Sequence, residues 1–204
     1  MNTDALSCPL CLSLKPENAK SFYNRPIYET ENFTIIPSIG PLVLGHVLVV
    51  SKIHAECLAL MGIEKIEELR LFILNTILKK SRNKDILFFE HGSFDGNNGG
   101  ACVIHTHIHM IPNYGINYNI FDGVLKIFDT NFNSEKLANI DMPYILSFNS
   151  SNDVRIYEAY NVHSQMMQKA ICSKMRIKEW DWRKDRKEAL IHESLKYWEN
   201  ILSV

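Results

Sequence analysis

The stretch His105-Thr106-His107-Ile108-His109-Met110-Ile111 decides how this chain reads, because it places three histidines at every second position. On a β-strand successive side chains alternate faces, so His105, His107 and His109 project together, spaced by roughly 6.5–7 Å. Thr106, Ile108 and Met110 then turn the other way, into a core. Imidazoles set out in this way can bind a metal, take up phosphate, or act as nucleophile and acid/base. A catalytic metal site built from all three is one competing reading, and three solvated rings on an open face is the plain one.

Upstream of the strand, Asp95-Gly96-Asn97-Asn98-Gly99-Gly100-Ala101-Cys102-Val103 is small and glycine-rich. Glycines let backbone N–H groups approach an anion with no side chain in the way. A flexible hairpin loop explains the glycines equally well in isolation. Beside the histidines an anion site is favoured, with Gly99, Gly100, Ala101 and Cys102 as its candidates.

Working outward, residues 26–37 alternate around Glu31-Asn32 as a hairpin would, and His46 to Val50 reads as a buried strand. Ile66, Leu69, Ile73, Ile77 and Leu78 recur at helical spacing between Ile63 and Lys80. Ile86 to Glu90 is a short strand, and Val103 to Ile111 a longer one ending at Pro112. Asn and Gly are frequent from Pro112 to Asn133, as in a long connection. Tyr144 to Phe148 and Arg155 to Tyr160 are further strands. Val162 to Met175 and Asp185 to Leu202 are amphipathic helices, the second with Leu190, Ser194, Leu195, Trp198 and Leu202 on one face. Strands and helices mix without strict βαβ alternation, so the fold class is α+β. A core of residues 1–113 and an extension of residues 114–204 packed on it is the expected division.

The chain has 204 residues, 46 % of them hydrophobic, with 22 basic against 23 acidic and a formal net charge of −1. That balance offers no broad field for long nucleic acid and suits a small anionic ligand held by local groups. Residues 1–9 show no basic stretch leading into an apolar one, and no apolar run approaches the ~18–20 residues of a membrane span. Five cysteines, three of them scattered, argue against a secreted disulfide framework. A cytoplasmic setting is expected.

The alternation from His105 to Ile111 resembles the signature of the histidine-triad (HIT) superfamily, with Thr106 a mild exception. Tyr28-Glu29-Thr30-Glu31-Asn32-Phe33, Gly40-Pro41, Gly45-His46-Val47-Leu48-Val49-Val50 and Lys52-Ile53-His54 follow that family's hairpin and Gly-His stretch in order. The resemblance covers residues 8–113. Ser164-Gln165 and Trp180-Asp181-Trp182-Arg183 resemble an extension of larger bacterial members. A HIT-like antiparallel sheet with flanking helices and a C-terminal helical extension is the fold this implies.

The resemblance also implies a mechanism. His107 would attack the α-phosphorus of a nucleotide or nucleotide-like phosphate ester and form a nucleotidyl-histidine intermediate, oriented by the backbone carbonyl of His105. His109 and His46 would hold the phosphate and help the leaving group; on its own, His46 beside Gly45 reads equally well as a turn cap. The implied activity is a hydrolase of dinucleoside polyphosphates or nucleoside phosphoramidates, with a nucleotidyltransferase or a non-catalytic nucleotide-binding module as alternatives. A homodimer is a further possibility, since smaller members pair through sheet and helix.

Cys8-Pro9-Leu10-Cys11 is a lone CxxC, able to grip one ion but two ligands short of a structural site; a redox-active pair and an incidental spacing are the other readings. In zinc-containing relatives the missing ligands match His54 and His105, which implies a structural Cys2His2 zinc. Cys57, Cys102 and Cys172 are expected to be small buried residues. Three positions depart from the family: Ser38 stands where an aspartate would hold the ribose, Ala101-Cys102 where Gln-Ser or Gln-Thr is common, and Glu90-His91-Gly92 where an asparagine-containing run is.

Overall fold

Eight strands pair antiparallel throughout in the computed structural model, which describes residues 3–81, 85–94, 100–112, 115–178 and 181–202. In chain order they are β1 (Tyr28–Glu29), β2 (Phe33–Pro37), β3 (Val47–Ser51), β4 (Ile86–Gly92), β5 (His107–Pro112), β6 (Ile127–Asp129), β7 (Tyr144–Asn149) and β8 (Val154–Glu158). Across the sheet the order is β1-β2-β3-β5-β4-β7-β8-β6. The architecture is the α+β one expected, an antiparallel sheet with flanking helices, with β1 and β2 forming the hairpin around Glu31-Asn32.

The helices are α1 (Thr3–Ser7), α2 (Pro9–Ser13), α3 (Ile63–Phe72), α4 (Ser134–Ala138), α5 (Met166–Met175) and α6 (Glu188–Leu202). α3 runs on through a π-turn stretch, Ile73–Leu78. Its apolar stripe, Ile66, Leu69, Ile73 and Ile77, packs on one sheet face against Val47, Val49, Phe88, Ile108 and Met110. Trp198 and Leu202 of α6 join that layer. The buried face of α6 carries Ile191, Ser194, Leu195, Trp198 and Leu202, so Ile191 takes the place expected of Leu190.

The opposite sheet face has two separate covers. Met167, Ile171 and Cys172 of α5 pack on Leu87, Phe89, Ile111 and Ile145. At the other flank Cys8 and Leu10 pack on Ile36 and Val50. Between the two covers the sheet is open above His107 and His109, and there the cavity lies.

Several expectations are corrected. The expected strand Val103–Ile111 begins only at His107; residues 102–105 bend and join no strand ladder. The Asn- and Gly-rich connection contains a short strand, β6, which pairs with β8. The two strands expected at Tyr144–Phe148 and Arg155–Tyr160 form as β7 and β8, and β7 pairs with β4 from Leu87 to Gly92. Cys57 and Cys172 are buried, but Cys102 is exposed. Among the described residues no helix is long and apolar enough to cross a membrane.

Candidate functional site

Cys8 stands at the N-terminal boundary of α2, with Pro9 in the first helical position, where its missing N–H costs nothing. One helical turn brings Cys11 to the same side. His54 follows β3 and His105 precedes β5. These four are the group among the described residues that could hold a metal ion, their donor atoms all within 4.8 Å of one another.

The donor spacings can be compared with a tetrahedron. Cys8 Sγ and Cys11 Sγ each lie 3.4 Å from His105 Nδ1, and Cys11 Sγ is 3.4 Å from His54 Nδ1. The two Nδ1 atoms are 3.3 Å apart. Four ligands around a tetrahedral ion at ordinary Zn–S and Zn–N lengths give S···N edges of about 3.6 Å and an N···N edge of about 3.3 Å. The donor set therefore fits one such ion. His105 Nε2 donates to the Ser51 carbonyl at 2.9 Å, so its Nδ1 presents a lone pair to the cluster. Burial, and then the neighbouring Cys8, push the Cys11 thiol up to about 11 in the ion-free protein.

His107 and His109 stay outside this group. His107 Nδ1 lies 2.6 Å from the His105 carbonyl, to which it donates, leaving Nε2 with a free lone pair. Both rings line a cavity of about 290 Å³ with His46, Ser38, Gly100 and Cys102. Leu10, Ile36, Leu48 and Trp182 supply apolar wall, and among the described residues no Lys, Arg, Asp or Glu lines it.

A chain of hydrogen bonds assigns the remaining tautomers. The Leu42 N–H donates to His46 Nδ1 at 3.0 Å. That nitrogen is therefore an acceptor, so His46 Nε2 carries the proton and donates it to His109 Nδ1 at 3.0 Å. His109 is left with its proton on Nε2, and its ring stacks on Phe89 with centroids 4.3 Å apart. Burial, helped by the Lys187 charge, holds His46 down to about 3, so it stays neutral. Burial also lowers His107, offset in part by the His105 carbonyl. His109 is lowered well below the ordinary imidazole value by burial and then by His46, His107 and His91. The site thus offers one bare nitrogen, His107 Nε2, beside one N–H, His109 Nε2.

Of the residues expected from the sequence, Cys8, Cys11, His54 and His105 meet at the metal group, and His46, Ser38, Gly100, Cys102, His107 and His109 meet at the cavity. Three expectations change. His105 turns its ring to the cysteines and reaches the cavity only through its carbonyl. Ala101 is buried but does not line the cavity. His46 has both ring nitrogens engaged, so it touches a ligand only through His109. Gly99 and Trp180 lie outside the described residues. Gln165 and Trp182, from the two stretches that resemble the extension of larger bacterial members, also line the cavity, as do Gln168 and Tyr23, which no local pattern marks. The three-histidine metal site does not form, because His105 and His107 point to different partners.

α6 supports His46 from behind. Gly45 N–H donates to Ser194 Oγ at 2.9 Å, and Trp198 Nε1 donates to the Gly45 carbonyl at 2.6 Å. Gly45 has φ +82°, and a Cβ there would sit 2.8 Å from Pro112 and 3.1 Å from the Tyr197 ring. Only glycine suits that place.

Residues 1–118 match the model of the family described as "Protein similar to CwfJ C-terminal". The chain belongs to that family. The matched stretch of this CwfJ C-terminal-like protein holds the whole metal group and every histidine of the cavity. No curated protein sequence matches it. Among solved structures it is similar to a hypothetical histidine triad nucleotide-binding protein from Sulfolobus tokodaii strain 7, at 26 % identity over 45 % of this chain and 62 % of that one, TM-score 0.34. It is similar to a zinc-bound histidine triad family protein from Mycobacterium smegmatis, at 22 % identity over 66 % and 89 %, TM-score 0.41. It is also similar to yeast Ap4A phosphorylase, at 12 % identity over 75 % and 64 %, TM-score 0.41.

Proposed function

We propose that this CwfJ C-terminal-like protein is a nucleotide-processing enzyme, a hydrolase of nucleoside phosphate derivatives that works through a nucleotidyl-histidine on His107. The observation that carries this reading is the 2.6 Å bond from His107 Nδ1 to the His105 carbonyl, which leaves Nε2 unprotonated at the cavity. A nitrogen with that lone pair can form a bond to phosphorus as the bond to the leaving group breaks. The His109 Nε2–H beside it can donate to a phosphate oxygen or to the departing atom. Water then displaces His107 and releases the nucleotide. On this reading residues 1–113 are the catalytic core, and residues 114–204 an extension packed on it. Gly100 and Cys102 stand beside the phosphate, and Ser38 near the ribose.

Cys8, Cys11, His54 and His105 would hold a structural zinc, as their tetrahedral spacing supports. When bound, it ties α2 to the bend that carries the His105 carbonyl.

Intact mass after incubation with diadenosine tetraphosphate, adenosine 5′-phosphomorpholidate and the p-nitrophenyl ester of AMP tests the reading. An adduct of one nucleotidyl group is expected on the wild type and none on His107→Ala. The variant should fold normally and lose about three or more orders of magnitude in rate. Turnover by His107→Ala near the wild-type rate would end the covalent reading.

A further inference from the structure

Gln165 is held in an unfavourable state. The residue is 2 % exposed, and both carboxamide atoms are buried with no hydrogen-bond partner among the described residues. Its backbone is left-handed, with φ +64°, at a residue that is not glycine. Buried amides without partners are destabilising, and left-handed backbone adds to this; both persist at sites where a ligand completes the structure. The surroundings hold the residue there. Its N–H donates to the Gly100 carbonyl at 3.2 Å, and its own carbonyl accepts from Lys169 at 2.9 Å, opening α5. Gln168, three residues on and on the same helical face, also has a buried Oε1 without a partner among the described residues. Both side chains line the cavity.

The strand order separates two walls. β3 and β2, with Leu48 and Ile36, lie on one side of β5, and β4 and β7, covered by α5, lie on the other. His107 and His109 therefore stand between an apolar wall and a carboxamide wall. A carboxamide offers donors and an acceptor without charge. No lysine or arginine among the described lining residues would offset a string of phosphates.

We propose that Gln165 and Gln168 form a subsite for the far end of the substrate, the part that departs when His107 takes the phosphorus, and that this end is a neutral group carrying both hydrogen-bond donors and acceptors. Sugar hydroxyls and a nucleobase edge share that chemistry. The proposal rests on the reading of His107 as nucleophile. With a pyrophosphate-linked substrate, His107 Nε2 bonds to the α-phosphorus while the bond from α-phosphorus to the bridging oxygen breaks. The electron pair leaves on that oxygen with the far half, and water later releases the mononucleotide from His107.

Three probes of equal charge separate the possibilities: ADP-glucose, diadenosine diphosphate and the β-methyl ester of ADP. Each is titrated calorimetrically onto the full chain, and its rate of AMP release is measured. Wild type should prefer ADP-glucose or diadenosine diphosphate over the methyl ester by about tenfold or more, the scale of one or two buried hydrogen bonds. Which of the two wins tells hydroxyls from nucleobase. Gln165→Leu should remove most of that preference and raise the melting temperature, since it deletes unsatisfied polar atoms; Gln168→Leu provides a second variant. Equal wild-type affinity for all three, no binding of any, or a preference unchanged in both variants would overturn the subsite. A wild-type preference that is lost in the variants while no probe ever modifies His107 would instead overturn the nucleophile and leave the subsite standing.

Discussion

The indole of Trp198 donates its N–H to the carbonyl of Gly45, the residue before His46, across 153 positions of sequence. Trp198 is fully buried, and the bond has no substitute if the indole is lost. Trp198→Phe leaves the Gly45 carbonyl buried and a void beside it. The expected loss is about 2–3 kcal/mol of unfolding free energy, read from the urea midpoint. A midpoint unchanged from wild type would show that the contact contributes nothing.

His46 enforces the tautomer of His109. With His46→Ala, nothing obliges His109 Nδ1 to remain an acceptor, and the Nε2–H form is no longer favoured. Nitrogen chemical shifts of labelled imidazoles should show a single His109 tautomer in the wild type and a mixture in the variant. Turnover should fall by about ten- to a hundredfold while the His107 adduct still forms.

Glu90 makes stability depend on pH. Burial pushes its carboxyl from 4.5 up to about 7, against the opposing hydrogen bonds from Tyr144 and the Leu58 N–H. Below pH 4.5 the group is protonated in both folded and unfolded chains. Between 4.5 and 7 only the folded chain keeps the proton, so stability is lost as pH rises through that window. The expected change is about 3 kcal/mol between pH 4.5 and 7.5, measured as the difference in unfolding free energy between wild type and Glu90→Gln. A flat difference would place the carboxyl near its ordinary value.

Metal analysis should find one zinc per chain, lost in Cys8→Ser and on prolonged chelation. Losing it should expose the α2 amides to hydrogen exchange before those of β3 or β5, since Leu10 makes the main apolar contact of that segment. Uniform exposure of the whole sheet would mean that the metal group is part of the core and no local tie.

Much of this was legible in the sequence where the signal is local. The alternation of His107 and His109, the hairpin around Glu31 and the stripe of Ile66, Leu69, Ile73 and Ile77 all read correctly because period alone determines which face they share. The four ligands Cys8, Cys11, His54 and His105 were legible only through family resemblance, since nothing nearby in sequence joins them. Strand period also misjudged His105: the cysteines claim its ring, and the backbone bends at residues 102–105 to deliver it. Cys102 was expected inside because cysteine is usually buried, yet it sits on that same bend. Gln165, Gln168 and the grip of Ser194 and Trp198 on Gly45 depend on contacts between distant segments, which no window of sequence contains.

The distance between Trp198 and Gly45 also sets an order of events during synthesis. All four candidate ligands have been made once His105 leaves the ribosome, so the metal group is complete in sequence before α5 and α6 exist. The α5 wall and the α6 clamp on Gly45 come much later. Until then the nascent chain holds its histidines without the clamp that steadies His46 and without the α5 wall of the cavity, so the proposed chemistry would wait on α6.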